Sequence, residues 1–375
     1  MRNRRNWLVL LAVIATLLFG GCKADEPNTA TVPNEEGPFT LGDMKVCAYI
    51  NTWSSWKAAS IKGQYLSDLI LAFAMITSNY SSITMSGFSG LWNEVAELKK
   101  AWPDLKVTLS VGGATEKNFP NMAADAANRA AFIADVCKWM KDRNLDGVDI
   151  DWEFPSSSQR AQYITLLRET RDALDKLGEE TGKQYSLSSA VSATYNASML
   201  QAAEYADNLK VMNYDYYGSW SNITGHNANL YNNSRRGSDM STDKSIRAYL
   251  NAGIPPEKIM LGVAFYGKTW NGVSPGSSEP GLFQSYTTYG TEPGWTTIKS
   301  YLKDGSGYTR YWDNAAKAPF LYNATNKRWV TYSDGEQMKH LANYAKEKKL
   351  GGVFAWEYSQ DMNAELLKAL AENTK

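Results

Sequence analysis

From Lys45 onward, short apolar runs of strand-like composition alternate with amphipathic stretches whose apolar residues recur every three or four positions. The strand candidates are residues 45–50, 68–76, 105–111, 145–153, 185–192, 209–215, 259–266 and 352–358. Helix candidates stand between them, among them G-L-W-N-E-V-A-E-L-K-K-A-W and N-R-A-A-F-I-A-D-V-C-K-W-M-K. Eight strands alternating with helices indicate an α/β chain closed into a TIM (β/α)8 barrel. In such a barrel the reactive groups sit at the C-terminal ends of the strands.

One interval breaks the rhythm. The gap from 266 to 352 is far longer than the others, and only its last part, Asp334 to Lys349, reads as the expected helix. A structureless loop of that length is unusual in a compact domain. Residues 268–330, rich in Gly, Tyr, Thr and Trp, are therefore expected to form a small α+β insertion between strands seven and eight.

The fourth strand candidate runs L-D-G-V-D-I-D-W-E-F-P over 145–155. Side chains alternate across a strand, so Asp149, Asp151 and Glu153 share one face while Val148, Ile150, Trp152 and Phe154 take the other. Crowding three carboxylates raises the pKa of at least one of them, which suits a proton donor near neutral pH. Glu153, last in the row, is best placed for that task. The alternatives are a solvated acidic strand end or a cation site, and the apolar flank weighs against both.

Composition narrows the function classes. There are 39 basic and 39 acidic residues and no long basic run, so nucleic acid is not an expected partner. The 13 Trp and 22 Tyr exceed what a core of this size needs and suit a groove where sugar rings stack on aromatic faces. His226 and His340 stand far apart in no ligand-like pattern, which argues against a His-based zinc site or a Ser-His-Asp triad. No metal or other cofactor is expected. Cys47 falls on a strand candidate and Cys137 on a helix candidate, so both are expected as buried free thiols.

The N-terminus reads as an export signal over residues 1–21: Arg2, Arg4 and Arg5 precede an apolar run from Trp7 to Phe19. Gly20-Gly21-Cys22 resembles a bacterial lipoprotein cleavage box, which implies lipidation of Cys22 and a membrane attachment through that lipid alone. Residues 22–42, polar and Pro-containing, are expected to form a flexible tether to a catalytic barrel over 43–375.

The spacing D-x-x-D-x-D-x-E, filled by Asp146, Asp149, Asp151 and Glu153, resembles the signature of family 18 glycoside hydrolases, the chitinase family. The following W-E-F-P, the Ser110-Val111-Gly112-Gly113 run, Met212-Asn213-Tyr214-Asp215 and Trp356-Glu357 extend the resemblance along the chain. Tyr311-Trp312-Asp313-Asn314 through Pro319-Phe320-Leu321-Tyr322 resembles the core of that family's insertion, which walls one side of the substrate groove. The resemblance implies retaining hydrolysis of β-1,4-linked N-acetylglucosamine polymers and oligomers, with chitin or chito-oligosaccharides as partner; a monomer is expected. In that family the nucleophile is the substrate's own N-acetyl oxygen.

It further implies that Glu153 protonates the glycosidic oxygen, its pKa held high by Asp151 and apolar surroundings, and that Asp151 orients the acetamide and relays charge with Asp149. Tyr214 would donate to the acetamide oxygen and Asp215 would bond near the same sugar. Tyr49 and Ser110 would steady Asp149, Trp356 would floor the pocket, Met212 would pack around it, and Trp53 and Phe73 would complete the strand-end set. Asp146, on the other strand parity, would serve structure. Two other readings stay open: an endo-β-N-acetylglucosaminidase acting on N-glycan cores, and a chitin-binding lectin. W-E-F-P and M-N-Y-D-Y-Y weigh against the first, and retention of Glu153 against the second.

Overall fold

The computed structural model describes residues 39–276 and 279–375, so the signal segment, Cys22 and the tether up to residue 38 lie outside the described residues. Within them the apolar runs become strands β1 (Lys45–Asn51), β2 (Asp68–Ile76), β3 (Ile83–Thr84), β4 (Lys106–Gly112), β5 (Gly147–Asp151), β6 (Ser186–Ser192), β7 (Asn208–Met212) and β8 (Ile259–Ala264). Five short strands follow, β9 (Lys268–Asn271), β10 (Thr288–Tyr289), β11 (Thr309–Asp313), β12 (Ala318–Asn323) and β13 (Arg328–Thr331), before β14 (Gly352–Trp356).

The order β1-β14-β8-β7-β6-β5-β4-β2, with β1 pairing back onto β2, closes a barrel of parallel strands, and β3 adds to β2 as a short antiparallel edge. Both faces of these strands are covered. Val46, Leu69, Leu109, Val148, Ile150 and Leu187 point outward against helix residues such as Leu98, Val136, Leu166 and Leu174. Burying each such side chain stabilises the fold by roughly 1.5–3 kcal/mol relative to leaving it in water. The alternate positions Cys47, Tyr49, Ile70, Ala72, Met260 and Phe354 fill the lumen. Helix starts are set by side-chain caps: Asp125, Ser241 and Asp334 each accept from a backbone N–H three residues on.

The expected insertion is present. Strands β9 to β13 form a separate antiparallel sheet in the order β10-β9-β13-β12-β11, accompanied by a helix over Trp295–Tyr301. Its core is Trp270, Trp329, Phe320 and Leu282, all inaccessible to solvent. His226, read from sequence as belonging to no site, anchors the loop after β7 to this sheet. Its Nε2 lies 3.0 Å from Asp313 Oδ2, which also accepts from Asn233 Nδ2 at 2.8 Å.

Several boundaries differ from expectation, and for one reason: the chain leaves the barrel rim earlier than its composition suggests. The fourth strand, expected over 145–153, stops at Asp151, and the sixth, expected to reach 215, stops at Met212. Phe154, expected on the apolar face, is consequently exposed. Cys47 and Cys137 are free thiols as expected, but only Cys47 is buried; Cys137 is half-buried on the helix Ala126–Asp142. Among the described residues no helix is long and apolar enough to cross a membrane.

Candidate active site

Three neighbouring strands place their inward side chains in one layer: Ser110 on β4 is in register with Asp149 on β5, which is in register with Ser188 on β6. Asp149 is wholly buried and takes four donors. Oδ2 accepts from Tyr49 Oη and Ser110 Oγ, each at 2.8 Å. Oδ1 accepts from Ser188 Oγ at 2.6 Å and Lys210 Nζ at 3.0 Å. Burial alone would raise its pKa, but the Lys210 charge and the hydroxyl donors outweigh it and hold Asp149 below the ordinary carboxylate range. The structure thus brings Tyr49 and Ser110 into hydrogen-bond contact with Asp149. It adds Ser188 and Lys210, which the sequence reading did not single out.

One layer nearer the rim, Asp151 is buried and its Oδ1 has no hydrogen-bond partner. Burial first, then the Glu153 and Asp149 carboxylates, push its pKa well up. Glu153 follows just beyond the end of β5. Burial, and after it the Asp215 carboxylate, raise Glu153 to about 7, with Lys117 acting weakly the other way. The sequence reading named Asp151 and apolar surroundings as what raises Glu153; burial is the largest cause, and the carboxylate that follows it is Asp215. Asp151 and Glu153 still titrate as a pair, because a charge on Glu153 disfavours a charge on Asp151. The row is therefore polarised, with a fixed anion at the bottom and protonatable acids at the mouth.

The close approach behind Asp151 explains the S-x-G-G run. A Cβ on Gly112 would lie 2.0 Å from the Asp151 carbonyl oxygen, and one on Gly113 2.7 Å from the Phe73 ring, with φ of +128° and +90° at the two glycines. Phe73 in turn stacks on Trp356, ring centroids 5.5 Å apart and planes 17° from parallel. Tyr49 lies 5.6 Å from the same indole. Trp356 and Met212 are partly exposed against this lumen cluster, so an apolar floor faces the mouth.

Tyr214, two residues past the end of β7, completes the wall. Burial and then the Asp151, Asp215 and Glu153 carboxylates raise its pKa far above that of free tyrosine, so it remains an O–H donor. Asp215, at φ +60°, turns its half-exposed carboxylate toward Tyr266 Oη and Lys268 Nζ, each 2.5 Å from Oδ1. Lys268, the first residue of β9, ties the insertion to this wall and lies 4.5 Å over the Trp220 ring. Neither Lys268, Tyr266 nor Trp220 was singled out from sequence.

Other expectations fall elsewhere. Trp53 is 61% exposed on the loop after β1, outside the floor cluster. Glu357 turns away from the lumen and accepts from Asn51 and Ser359, bracing β14 against β1. Asp146 precedes β5 at the opposite end, where it binds Lys99, Lys183 at 2.8 Å and the Val107 N–H at 2.8 Å, a structural clamp as expected. A cleft of about 840 Å³ opens at that end, lined by Lys45, Lys106, Asp146, Lys183 and Asp207. There Asp146 is held by Lys183 and Asp207 by Arg171, unlike the acid at the mouth whose Oδ1 has no partner. Among the described residues no group of three or more His, Cys, Asp or Glu is arranged to hold a metal ion.

Comparison with known proteins places these features in context. Residues 45–361 match the family model of Glycosyl hydrolases family 18. Chitinase A1 of Niallia circulans is 35% identical over 75% of this chain and 44% of its own length. Chitinase A of Pseudoalteromonas piscicida is 32% identical over 75% of this chain and 41% of its own length. The chain thus spans less than half of either relative. The solved structure of a glycoside hydrolase family 18 N-acetylglucosaminidase from Paenibacillus barengoltzii superposes with a TM-score of 0.80 at 31% identity, covering 88% of this chain and 99% of that one.

Proposed function

The chain belongs to glycosyl hydrolases family 18, and from that premise we propose that it is a chitinase, hydrolysing β-1,4-linked N-acetylglucosamine polymers and oligomers with retention of configuration. The observation that carries this reading is the geometry of the acid row: Asp149 bound by four donors, Asp151 buried with an unpartnered oxygen, and Glu153 just beyond the end of β5, with pKa directions that agree. Glu153 donates its proton to the glycosidic oxygen as the bond to the leaving sugar breaks. The acetamide oxygen of the same substrate closes on the anomeric carbon to give an oxazolinium ion, the route that dispenses with a carboxylate nucleophile. Asp151 receives the acetamide N–H on its unpartnered oxygen and opposes the positive charge that develops. Tyr214 donates to the acetamide oxygen and fixes its approach. Glu153, now a carboxylate, takes a proton from the incoming water, and the anomeric carbon returns to its starting configuration.

Trp356 floors the sugar at the cleaved bond, flanked by Phe73 and Tyr49. Trp53 and Trp220, both exposed near the rim, provide further stacking faces for a longer chain. Product analysis by mass spectrometry on chitohexaose, colloidal chitin and a high-mannose glycopeptide, run side by side, tests the assignment. Shorter N-acetylglucosamine oligomers from the first two substrates are expected. Release of the glycan from the glycopeptide with no cleavage of chitohexaose would replace this reading with the endo-β-N-acetylglucosaminidase one, and binding without any cleavage with the lectin one. Because the matched Paenibacillus structure is that of an N-acetylglucosaminidase, the size of the first products also separates attack at chain ends from attack within the chain.

We further place the enzyme outside the cytoplasm, tethered through lipid on Cys22; the charged start, apolar run and small residues before Cys22 support this. Membrane fractions are expected to retain the native chain and to lose the Cys22→Ser variant. Equal partitioning of the two would remove the anchor from the account.

A further inference from the structure

The reaction scheme makes no use of Lys210, although its ammonium lies at the heart of the barrel. Its side chain is 3% exposed, and its Nζ sits 3.0 Å from Asp149 Oδ1 and in hydrogen-bond contact with Ser188 Oγ. Leaving a lysine side chain without water is costly unless a partner offsets it. Here the partner belongs to the acid row itself.

The donor count around Asp149 limits what that residue can do. An ionised carboxylate offers about four lone-pair sites and no proton. Tyr49, Ser110, Ser188 and Lys210 direct four donors at them. A neutral Asp149 would bring a proton of its own into that shell. The hydroxyls of Tyr49, Ser110 and Ser188 can rotate to accept it, but an ammonium has no lone pair and cannot.

We propose that Lys210 is a positioning residue: a fixed counter-ion that keeps Asp149 a carboxylate throughout the cycle, so that the mobile proton of the acid row stays on the Asp151–Glu153 pair facing the substrate. This deepens the chitinase reading and rests on it. Without the ammonium, Asp149 and Asp151 form two close buried acids of like charge, and such pairs hold a proton between them. That proton would then sit one layer too deep to serve the leaving group. The directions agree: burial would depress Lys210, but Asp149, then Cys47 and Asp68, raise it.

The other ionisable groups around Lys210 do not replace it. Cys47 on β1 is held as a thiol, pushed up to about 12 by burial and by Asp68. Asp68 on β2 is itself raised by burial, is partly offset by Lys210, and accepts from Thr108 at 2.8 Å. Asp146 lies beyond, satisfied by Lys99 and Lys183. Tyr49 and Tyr214 are held as neutral phenols.

The test is steady-state hydrolysis of chitohexaose over a full pH range by the full chain and its variants. Lys210→Met and Lys210→Gln both remove the charge, and Gln keeps a donor, so Gln carries the test should Met not fold. In either, kcat is expected to fall roughly tenfold or more with KM changed less than about threefold, because a displacement of one pKa unit alters the competent fraction about tenfold. The acidic limb of the kcat/KM profile is expected to move up by about one unit or more, since Asp149 then takes a proton at higher pH. Adding Lys210→Met to Asp149→Asn is expected to change kcat less than about threefold, as the two act as one unit. Asp68→Asn is expected to leave the profile where it was. A wild-type acidic limb in a folded, charge-free Lys210 variant overturns the inference, as does an Asp68→Asn profile that copies it. Wild-type chain inert toward chitohexaose would instead overturn the chitinase reading, and the inference with it.

Discussion

Glu153→Gln is expected to lose roughly 10²–10⁴-fold in kcat on chitohexaose while oligosaccharide affinity changes by no more than a few-fold. The amide matches the carboxyl in size and keeps the groove contacts, but it cannot release a proton to the leaving oxygen. The pH profile adds a second signature. With Glu153 raised to about 7, wild-type activity is expected to fall as pH rises through about 7, where the donor loses its proton; the variant's residual activity should lack that limb. Wild-type stability falls in the same direction, over a window that starts lower. A group whose folded pKa is raised binds more protons in the folded state, so wild-type stability falls as pH climbs from the range of a free glutamate toward about 7. Above that window Glu153→Gln should melt at a higher temperature than wild type, and at acidic pH the difference should vanish. Wild-type turnover in the variant, or an unchanged alkaline limb, would take the proton-donor role away from Glu153.

The acid row was legible because period two is a local property. Asp149 and Asp151 point into the lumen and Val148 and Ile150 out of it, as alternation requires. Alternation fails where the strand does. Glu153 and Phe154 lie past Asp151, so Glu153 reaches the mouth by the turn that follows, and Phe154 meets solvent instead of the apolar layer. The same error extended β7 through Asp215, whose positive φ belongs to a chain already leaving the sheet.

Lys210 and Ser188 were missed for a different reason. They come from β7 and β6, and only the barrel's register sets them beside Asp149. A signal existed in L-K-V-M: a lysine two places before the inward Met212, between Leu209 and Val211, is an inward charge, and an inward charge needs a partner. Lys268 was hidden as the first residue of an insertion whose presence could be read from chain length and whose strand order could not, since that order depends on pairings across the whole segment. Trp53 was read as a strand-end residue because it follows β1; its loop carries it outward to an exposed position.

A substrate that supplies its own nucleophile implies a large effect of removing that group. Asp149 is engaged by four donors and cannot reach a sugar, while buried Asp151 offers an unpartnered oxygen suited to an N–H rather than to an anomeric carbon. Held in place, the acetamide acts as an intramolecular reactant, an arrangement worth effective molarities of roughly 10⁵–10⁸ M. A glucosamine hexamer keeps the backbone and hydroxyls of chitohexaose but lacks every acetamide. The deciding measurement is therefore the initial rate of cleavage of the two hexamers at equal concentration and pH, followed by mass spectrometry. Cleavage of chitohexaose with the glucosamine hexamer slower by roughly 10⁴-fold or more is the predicted result; comparable rates on both would contradict it.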